Sequence, residues 1–171
     1  MTCSANRRSV ASLPDNSFTD RIVNGIPKGV GNPEAIRRYQ DDSIVSGCLG
    51  TRHTAEVAAR YARLKPGQKD KTSKSVRLKA DGLCPTLRAG TDAERGSYQA
   101  VRPIHPTAPR VITPREAARL QGFPDWFQFA PTKRHSFRQI GNSVSPFVAE
   151  AVLKVIHTKV IVSASLKMSV S

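Results

Sequence analysis

Few side chains in this sequence have the type and setting to do covalent chemistry. A cysteine attacks carbon as a thiolate, and the chain has three, Cys3, Cys48 and Cys84, at wide spacing. No Cys-x-x-Cys occurs, and the four histidines, His53, His105, His135 and His157, complete no zinc-ligand pattern, so no metal site is expected. Gly25, Gly29 and Gly31 suggest a phosphate loop, but no convincing strand precedes them and Pro33 interrupts the stretch after them. Gly141-Asn142-Ser143 lies just ahead of an apolar helical pattern, where backbone amides can receive a carboxylate, although most such turns only turn the chain. Arg115 and Arg119 are four apart and share a helix face, open either to binding or to a solvated structural role.

The elements that would position these residues are better marked. Thr113 is a good N-cap, Pro114 suits the first helical position, and Glu116 completes a Thr-x-x-Glu capping box. Ile112 precedes the cap and can pack on Ala117 as a hydrophobic staple. Gly122 suits the left-handed position that ends a helix, and Pro124 stops it from resuming. A helix of about two turns is too short to stand alone, so it needs a partner surface, expected from Phe123, Trp126, Phe127 and Phe129. Residues 139–144 read as a turn into a second helix, capped by Ser143 or Ser145 with Pro146 in its first turn. Val144, Phe147, Val148, Ala151, Val152, Val155 and Ile156 then recur as one apolar stripe. Residues 54–64 form a third helix, with Val57, Ala58, Tyr61 and Leu64 on one side and Pro66-Gly67 closing it.

Between these helices the pattern is weaker. Residues 1–50 read as a flexible or unassigned leader. Residues 65–79 are a basic connector that either tracks phosphates or is simply solvated. Residues 83–90 and 98–104 read as two short strands around a charged loop at 92–96, residues 131–138 as a basic loop, and residues 158–171 as a tail. The formal net charge of +14, from 27 Lys and Arg against 13 Asp and Glu, favours a polyanionic partner, nucleic acid first. A sticky, solvated basic surface is the alternative. No apolar run of signal-peptide length comes after Arg7 and Arg8, and nothing approaches a membrane span. A soluble cytoplasmic protein with reduced thiols is expected.

Taken in order, the two long motifs resemble those of the DNA cytosine-5 methyltransferases. Arg110-Val111-Ile112-Thr113-Pro114-Arg115-Glu116-Ala117-Ala118-Arg119-Leu120-Gln121-Gly122-Phe123-Pro124 is similar to that family's motif IX, and Gln139-Ile140-Gly141-Asn142-Ser143-Val144-Ser145-Pro146 to its motif X. The resemblance covers roughly residues 51–157 and is strongest from Arg110. It implies that residues 51–109 are part of a target-recognition region and residues 110–157 the motif IX and motif X segment. Residues 85–90 and 102–106 also resemble segments of that region, which makes Thr86 and Arg88 candidates for base or phosphate contacts with double-stranded DNA. Gly141, Asn142 and Ser143 would form part of a shared S-adenosyl-methionine site. Thr113, Arg115, Glu116, Arg119 and Gln121 would be scaffold.

The same resemblance shows what these residues lack. The family flips a cytosine from the duplex, adds a cysteine thiolate to C6 and transfers a methyl group to C5. The glycine-rich cofactor loop, Pro-Cys loop, Glu-Asn-Val strand and Gln-x-Arg-x-Arg strand do not occur in this sequence, and Cys84 is followed by proline rather than preceded by it. No catalytic residue is therefore expected in this chain. The implied fold is α/β for the family. This chain would be an incomplete α+β fragment, a small β-rich recognition region followed by helices that pack on a Rossmann-like methyltransferase domain. The implied function is the C-terminal portion of such an enzyme, as found in restriction-modification systems, inactive alone and open to an N-terminal half in trans. The alternatives are a stand-alone DNA-binding module or a nonfunctional gene remnant.

Overall fold

A computed structural model describes the backbone of residues 2–4, 18–89 and 102–168, and the side chains of residues 18–89 and 102–161. The elements run β1 (Thr2–Ser4), α1 (Phe18–Asn24), α2 (Pro33–Asp42), β2 (Ile44–Ser46), α3 (Ala55–Ala62), α4 (Pro114–Gln121), α5 (Lys133–Asn142) and α6 (Pro146–Met168). β1 and β2 pair antiparallel with Cys3 opposite Val45. The described residues are thus mixed helix with little strand.

The main core gathers around α4. Ile112, Ala117 and Ala118 pack with Phe123, Phe129, Phe137, Ile140 and Leu78, with Cys84, Leu87 and Phe127 against their edge. Phe123, Phe127 and Phe129 touch one another at centroid separations of 4.9–5.1 Å, a range that favours tilted aromatic contacts. This is the partner surface a two-turn helix requires, and Trp126 extends it through Phe127 at 5.7 Å. A second cluster holds Tyr61 of α3, Ile104 and Val111, flanked by Val57 and Leu64. The apolar side of α3 expected from the sequence is therefore its buried side.

Residues 18–50 differ from the flexible leader expected of them. Asn32 caps α2 by accepting from the Ala35 amide, and Ser43 closes it in the left-handed region at φ 53°. Tyr39 is buried, and its hydroxyl donates to the Val23 carbonyl at 2.6 Å, which ties α2 to α1. The Asp125 amide donates to Ile22, the Arg115 amide to Gly47, and the Trp126 indole to Gly25. Ile22, Val23, Tyr39 and Val45 are the buried faces of elements only three to ten residues long, too short for a periodicity to register.

The first of the two strands expected between α3 and α4 is absent. Residues 83–89 form no strand, and Leu83 is 99% exposed. Gly90, residues 92–96 and residues 98–101 lie outside the described residues. What remains is a ladder of single bridges: Lys69 to Val76 antiparallel, Arg77 to Ile104 parallel, and Ile104 to Val111 antiparallel. Arg77 fastens this ladder to α3. Its buried guanidinium donates to the carbonyls of Tyr61, Ala62 and Leu64, and to those of Pro106 and Thr107. A buried cation is held by backbone carbonyls at the helix C-terminus, where the dipole favours positive charge.

Residues 131–138 were expected as a basic loop, but Lys133 onward is helix. Thr132 caps α5 by accepting from the His135 amide. The Ser136 hydroxyl donates to Ala130 and Thr132, while Phe137 and Ile140 enter the core. α6 continues through Met168, so the described part of the expected tail is helical. It is held at its first turn: Phe147 stacks on Phe18 at 5.2 Å, lies under the Arg21 guanidinium at 4.1 Å, and Glu150 pairs with Arg21. The rest of the apolar stripe is bare, with Val148, Val152, Val155 and Ile156 each more than half exposed.

Candidate functional site

The α4 segment folds as its sequence dictates. Thr113 accepts from the Glu116 amide, the Glu116 carboxylate accepts from the Thr113 amide, and Gly122 adopts φ 90° at the C-cap. Arg115, only 3% exposed, donates to the Ser46 carbonyl at 2.8 Å, the Ser46 hydroxyl at 3.0 Å, Pro124 at 3.1 Å and Phe127 at 2.6 Å. Burial lowers its pKa to about 10, which still leaves it charged at neutral pH. Arg119 grips Asp125 with two bonds of 2.9 and 2.6 Å, and Arg115 lies 3.8 Å from the same carboxylate. The shared face of the two arginines is thus a seat for buried Asp125, which sequence reasoning missed. The available signal was a carboxylate six residues after Arg119, just past the helix stop. These contacts hold the backbone of residues 46, 124 and 127 in place, and none of these charges is left to act on a substrate.

Glu116 reaches outward as well, accepting two bonds from Arg110 at 2.8 and 2.7 Å. Burial alone would raise its pKa, but Arg110 and the Thr113 amide outweigh that and lower it. His105 stands beside this pair, with Nε2 3.8 Å from Glu116. Its Nδ1 accepts from the Thr107 and Ala108 amides at 3.2 and 3.0 Å, which fixes the neutral tautomer. Burial lowers the pKa of His105, and that of His53 likewise. Asp70 is lowered because bonds from Ser73 and Arg60 overcome its burial.

Acid should therefore destabilise the fold in two stages. The histidine contribution is complete above the ordinary imidazole value of 6.5 and is lost as pH falls through the lower folded-state values. The carboxylate contribution is complete above the ordinary values of 4.5 for Glu116 and 3.8 for Asp70, and is lost as pH falls through their lower folded values. A thermal midpoint measured from pH 8 to pH 3 is expected to fall in two steps. A midpoint flat from pH 7 to pH 5 would rule out the histidine step.

Gly141, Asn142 and Ser143 do not form the turn ahead of a helix that was expected. Gly141 and Asn142 are the last residues of α5, and Ser143 is its C-cap. As helical residues, Gly141 and Asn142 direct their amides back along α5 rather than toward a ligand ahead of α6. Ser143 donates from both its amide and its hydroxyl to Ile140. A Cβ at Gly141 would fall 2.7 Å from both the Ala89 Cα and the Arg88 carbonyl carbon. The close approach that glycine permits on this side is therefore taken by protein backbone. The Asn142 side chain is exposed and meets no partner among the described residues. Ser143 Oγ keeps acceptor capacity after donating. These two fit one polar edge of a cofactor site.

Thr86 and Arg88 are both exposed. The structure brings their segment against Gly141, so the two sets of candidates adjoin. Gln121 joins the α4 motif to the same place, its amide donating to the Ser143 carbonyl at 3.0 Å. Cys84 is the free cysteine among the described residues, and burial raises its thiol pKa, the wrong direction for a nucleophile. Cys48 differs from the reduced thiol expected, being disulfide-bonded. Surface cavities of about 200 and 320 Å³ open beside Phe129 and Trp126, and none of the candidate site residues lines them. Among the described residues no group of three His, Cys, Asp or Glu could hold a metal, and no helix is long and apolar enough to cross a membrane.

The family model for C-5 cytosine-specific DNA methylases matches residues 15–158. The chain belongs to this DNA (cytosine-5)-methyltransferase family. It is 52% identical over 116 residues to the type II methyltransferase M.XorII of Xanthomonas oryzae pv. oryzae, a match covering 68% of this chain and 27% of that protein. It is 43% identical over 152 residues to the type II methyltransferase M.AgeI of Thalassovita gelatinovora, covering 86% of this chain and 34% of that one. The crystal structure of a protein described as a DNA modification methyltransferase encoded within a prophage (E. coli) superposes with a TM-score of 0.76 at 48% identity, over 92% of this chain and 40% of that chain. The chain thus spans about a quarter to two fifths of these relatives. The match begins at residue 15, well ahead of the recognisable motifs, in keeping with the packed α1 and α2.

Proposed function

We propose that this chain supplies the DNA-recognition surface and one edge of the cofactor site of a DNA cytosine-5 methyltransferase. Residues 51–109 serve as part of the target-recognition region, and residues 110–157 as its motif IX and motif X support. The observation that carries this reading is the seating of one candidate site on the other: Gly141 against Arg88 and Ala89, with Gln121 on Ser143. Thr86 and Arg88 then face the bases or phosphates of duplex DNA, while Asn142 and Ser143 hold a polar edge of S-adenosyl-methionine. When bound, that cofactor supplies an electrophilic methyl group. The bare stripe of α6 packs on the Rossmann-like domain that carries the rest of the site. A cysteine thiolate must come from a stretch that this sequence does not contain, because Cys84 is shifted toward the thiol. The bacterial cytoplasm is the compartment that goes with this reading, and there the Cys48 disulfide would be open to reduction.

Methylation of genomic DNA with labelled S-adenosyl-methionine tests this. The 171-residue chain is expected to show no turnover alone, and to gain it when mixed with a polypeptide carrying the Pro-Cys and glycine-rich motifs. Methyl transfer by the purified chain alone would defeat the proposal. A folded chain that stays inactive in the mixture yet binds DNA would instead support a stand-alone DNA-binding module.

A further inference from the structure

The basic connector at residues 65–79 is an ordered hairpin. The Gly67 amide donates to Arg77, Arg77 to Gln68, Asp70 to Ser75, and Lys74 back to Asp70. Its tip is locked by Asp70, 1% exposed, whose carboxylate accepts from the Ser73 amide at 2.7 Å and from Arg60 at 3.0 Å. Lys74 takes φ 61°, a conformation that glycine and asparagine adopt far more readily than lysine.

The charges are sorted by direction. Asp70, the sole acidic residue of 65–79, and Arg77 both turn inward and are satisfied there. Lys65, Lys69, Lys71, Lys74 and Lys79 are all exposed, and none has a carboxylate partner among the described residues. The Lys74 ammonium donates to the Lys71 carbonyl at the tip, a neutral partner that leaves its charge unbalanced. The hairpin has no aromatic residue for base stacking, and Leu78 is buried rather than offered to a lipid surface. Compact ammonium groups without aromatic partners suit phosphate oxygens. The base of the hairpin also shares a core with the recognition segment: Leu78 belongs to the cluster against which Cys84 and Leu87, on either side of Thr86, pack.

We propose that this hairpin grips the phosphate backbone of double-stranded DNA beside residues 86–88, an assignment that rests on the DNA-recognition function proposed for the chain. The left-handed backbone at Lys74 closes the tip that carries the three ammonium groups of Lys69, Lys71 and Lys74. Such contacts fix the register of a duplex without reading its sequence.

The test is binding of the full chain to a short duplex of mixed sequence, followed by fluorescence anisotropy across a salt series. Changing Lys69, Lys71 and Lys74 together to glutamine is expected to flatten the slope of log K against log salt by about 2.7, at about 0.9 for each phosphate no longer neutralised. A control of equal charge change, Lys28→Gln with Arg37→Gln and Lys159→Gln, is expected to keep the wild-type slope. Equal slopes for wild type and hairpin variant would overturn the proposal, as would equal flattening by the control, which would report net charge alone. Absence of duplex binding by the wild type at low salt would instead overturn the DNA-recognition function, and the hairpin assignment with it.

Discussion

Replacing Arg115 with alanine is expected to cost roughly 3–5 kcal/mol of folding stability. The side chain is buried and gives four hydrogen bonds to Ser46, Pro124 and Phe127, fastening β2 to the segment after α4. Removing it takes the guanidinium donor from the partly buried Ser46 and Phe127 carbonyls, while the Pro124 carbonyl keeps the Phe127 amide. It also leaves Asp125, 2% exposed, balanced by Arg119 alone. Arg115→Lys should recover little, since one ammonium cannot meet acceptors spread across a planar fork. Arg119→Ala should cost less, because Arg119 is 48% exposed and Arg115 remains 3.8 Å from the carboxylate. A typical domain has about 5–15 kcal/mol in total, so Arg115→Ala should leave a substantial unfolded population under mild denaturant. Urea unfolding followed by circular dichroism measures it. A loss of about 1 kcal/mol or less would mean that water replaces the guanidinium, and that β2 is not held by this contact.

Thr113, Pro114, Glu116 and Gly122 could be read from the sequence because a cap is a local device. Each of these residues satisfies a backbone group within a few positions of itself, so spacing alone specifies the geometry. The family was legible for a related reason, since its two motifs are continuous runs. What could not be read was long-range. The single bridges among Lys69, Val76, Arg77, Ile104 and Val111 involve one residue at a time and leave no alternation to detect. α5 was hidden by two basic residues in its first turn, Lys133 and Arg134, which oppose the helix dipole. It forms because Ser136, Phe137 and Ile140 are buried. Residues 18–50 were hidden because their apolar side chains are few, and their partners, Arg115, Asp125 and Trp126, lie far along the chain. Within the candidate site, Gly141 faces Ala89, a neighbour that no local pattern reveals.

That neighbour makes Gly141→Ala a sharp probe, because its local and long-range effects have opposite sign. Inside α5, alanine is a better helix former than glycine by roughly 1 kcal/mol, so the helix itself should gain. The added Cβ, however, falls 2.7 Å from the Ala89 Cα and the Arg88 carbonyl carbon. Both are backbone atoms, and neither can swing away as a side-chain tip could. Either α5 or the segment must shift, at about 1–3 kcal/mol by analogy with overpacked cores. The segment is the weaker partner: residues 83–89 pair with no strand, whereas α5 is anchored by Phe137 and Ile140. Arg88 should therefore move while α5 stays, and duplex DNA affinity should fall about 5- to 150-fold, the equivalent of that energy. Hydrogen exchange at the Ala89 amide should quicken in the same variant. Unchanged exchange and unchanged affinity would show that residues 88 and 89 do not rest on α5. A selective loss of S-adenosyl-methionine binding in the reconstituted mixture, with DNA affinity kept, would return Gly141 to the cofactor side of the site.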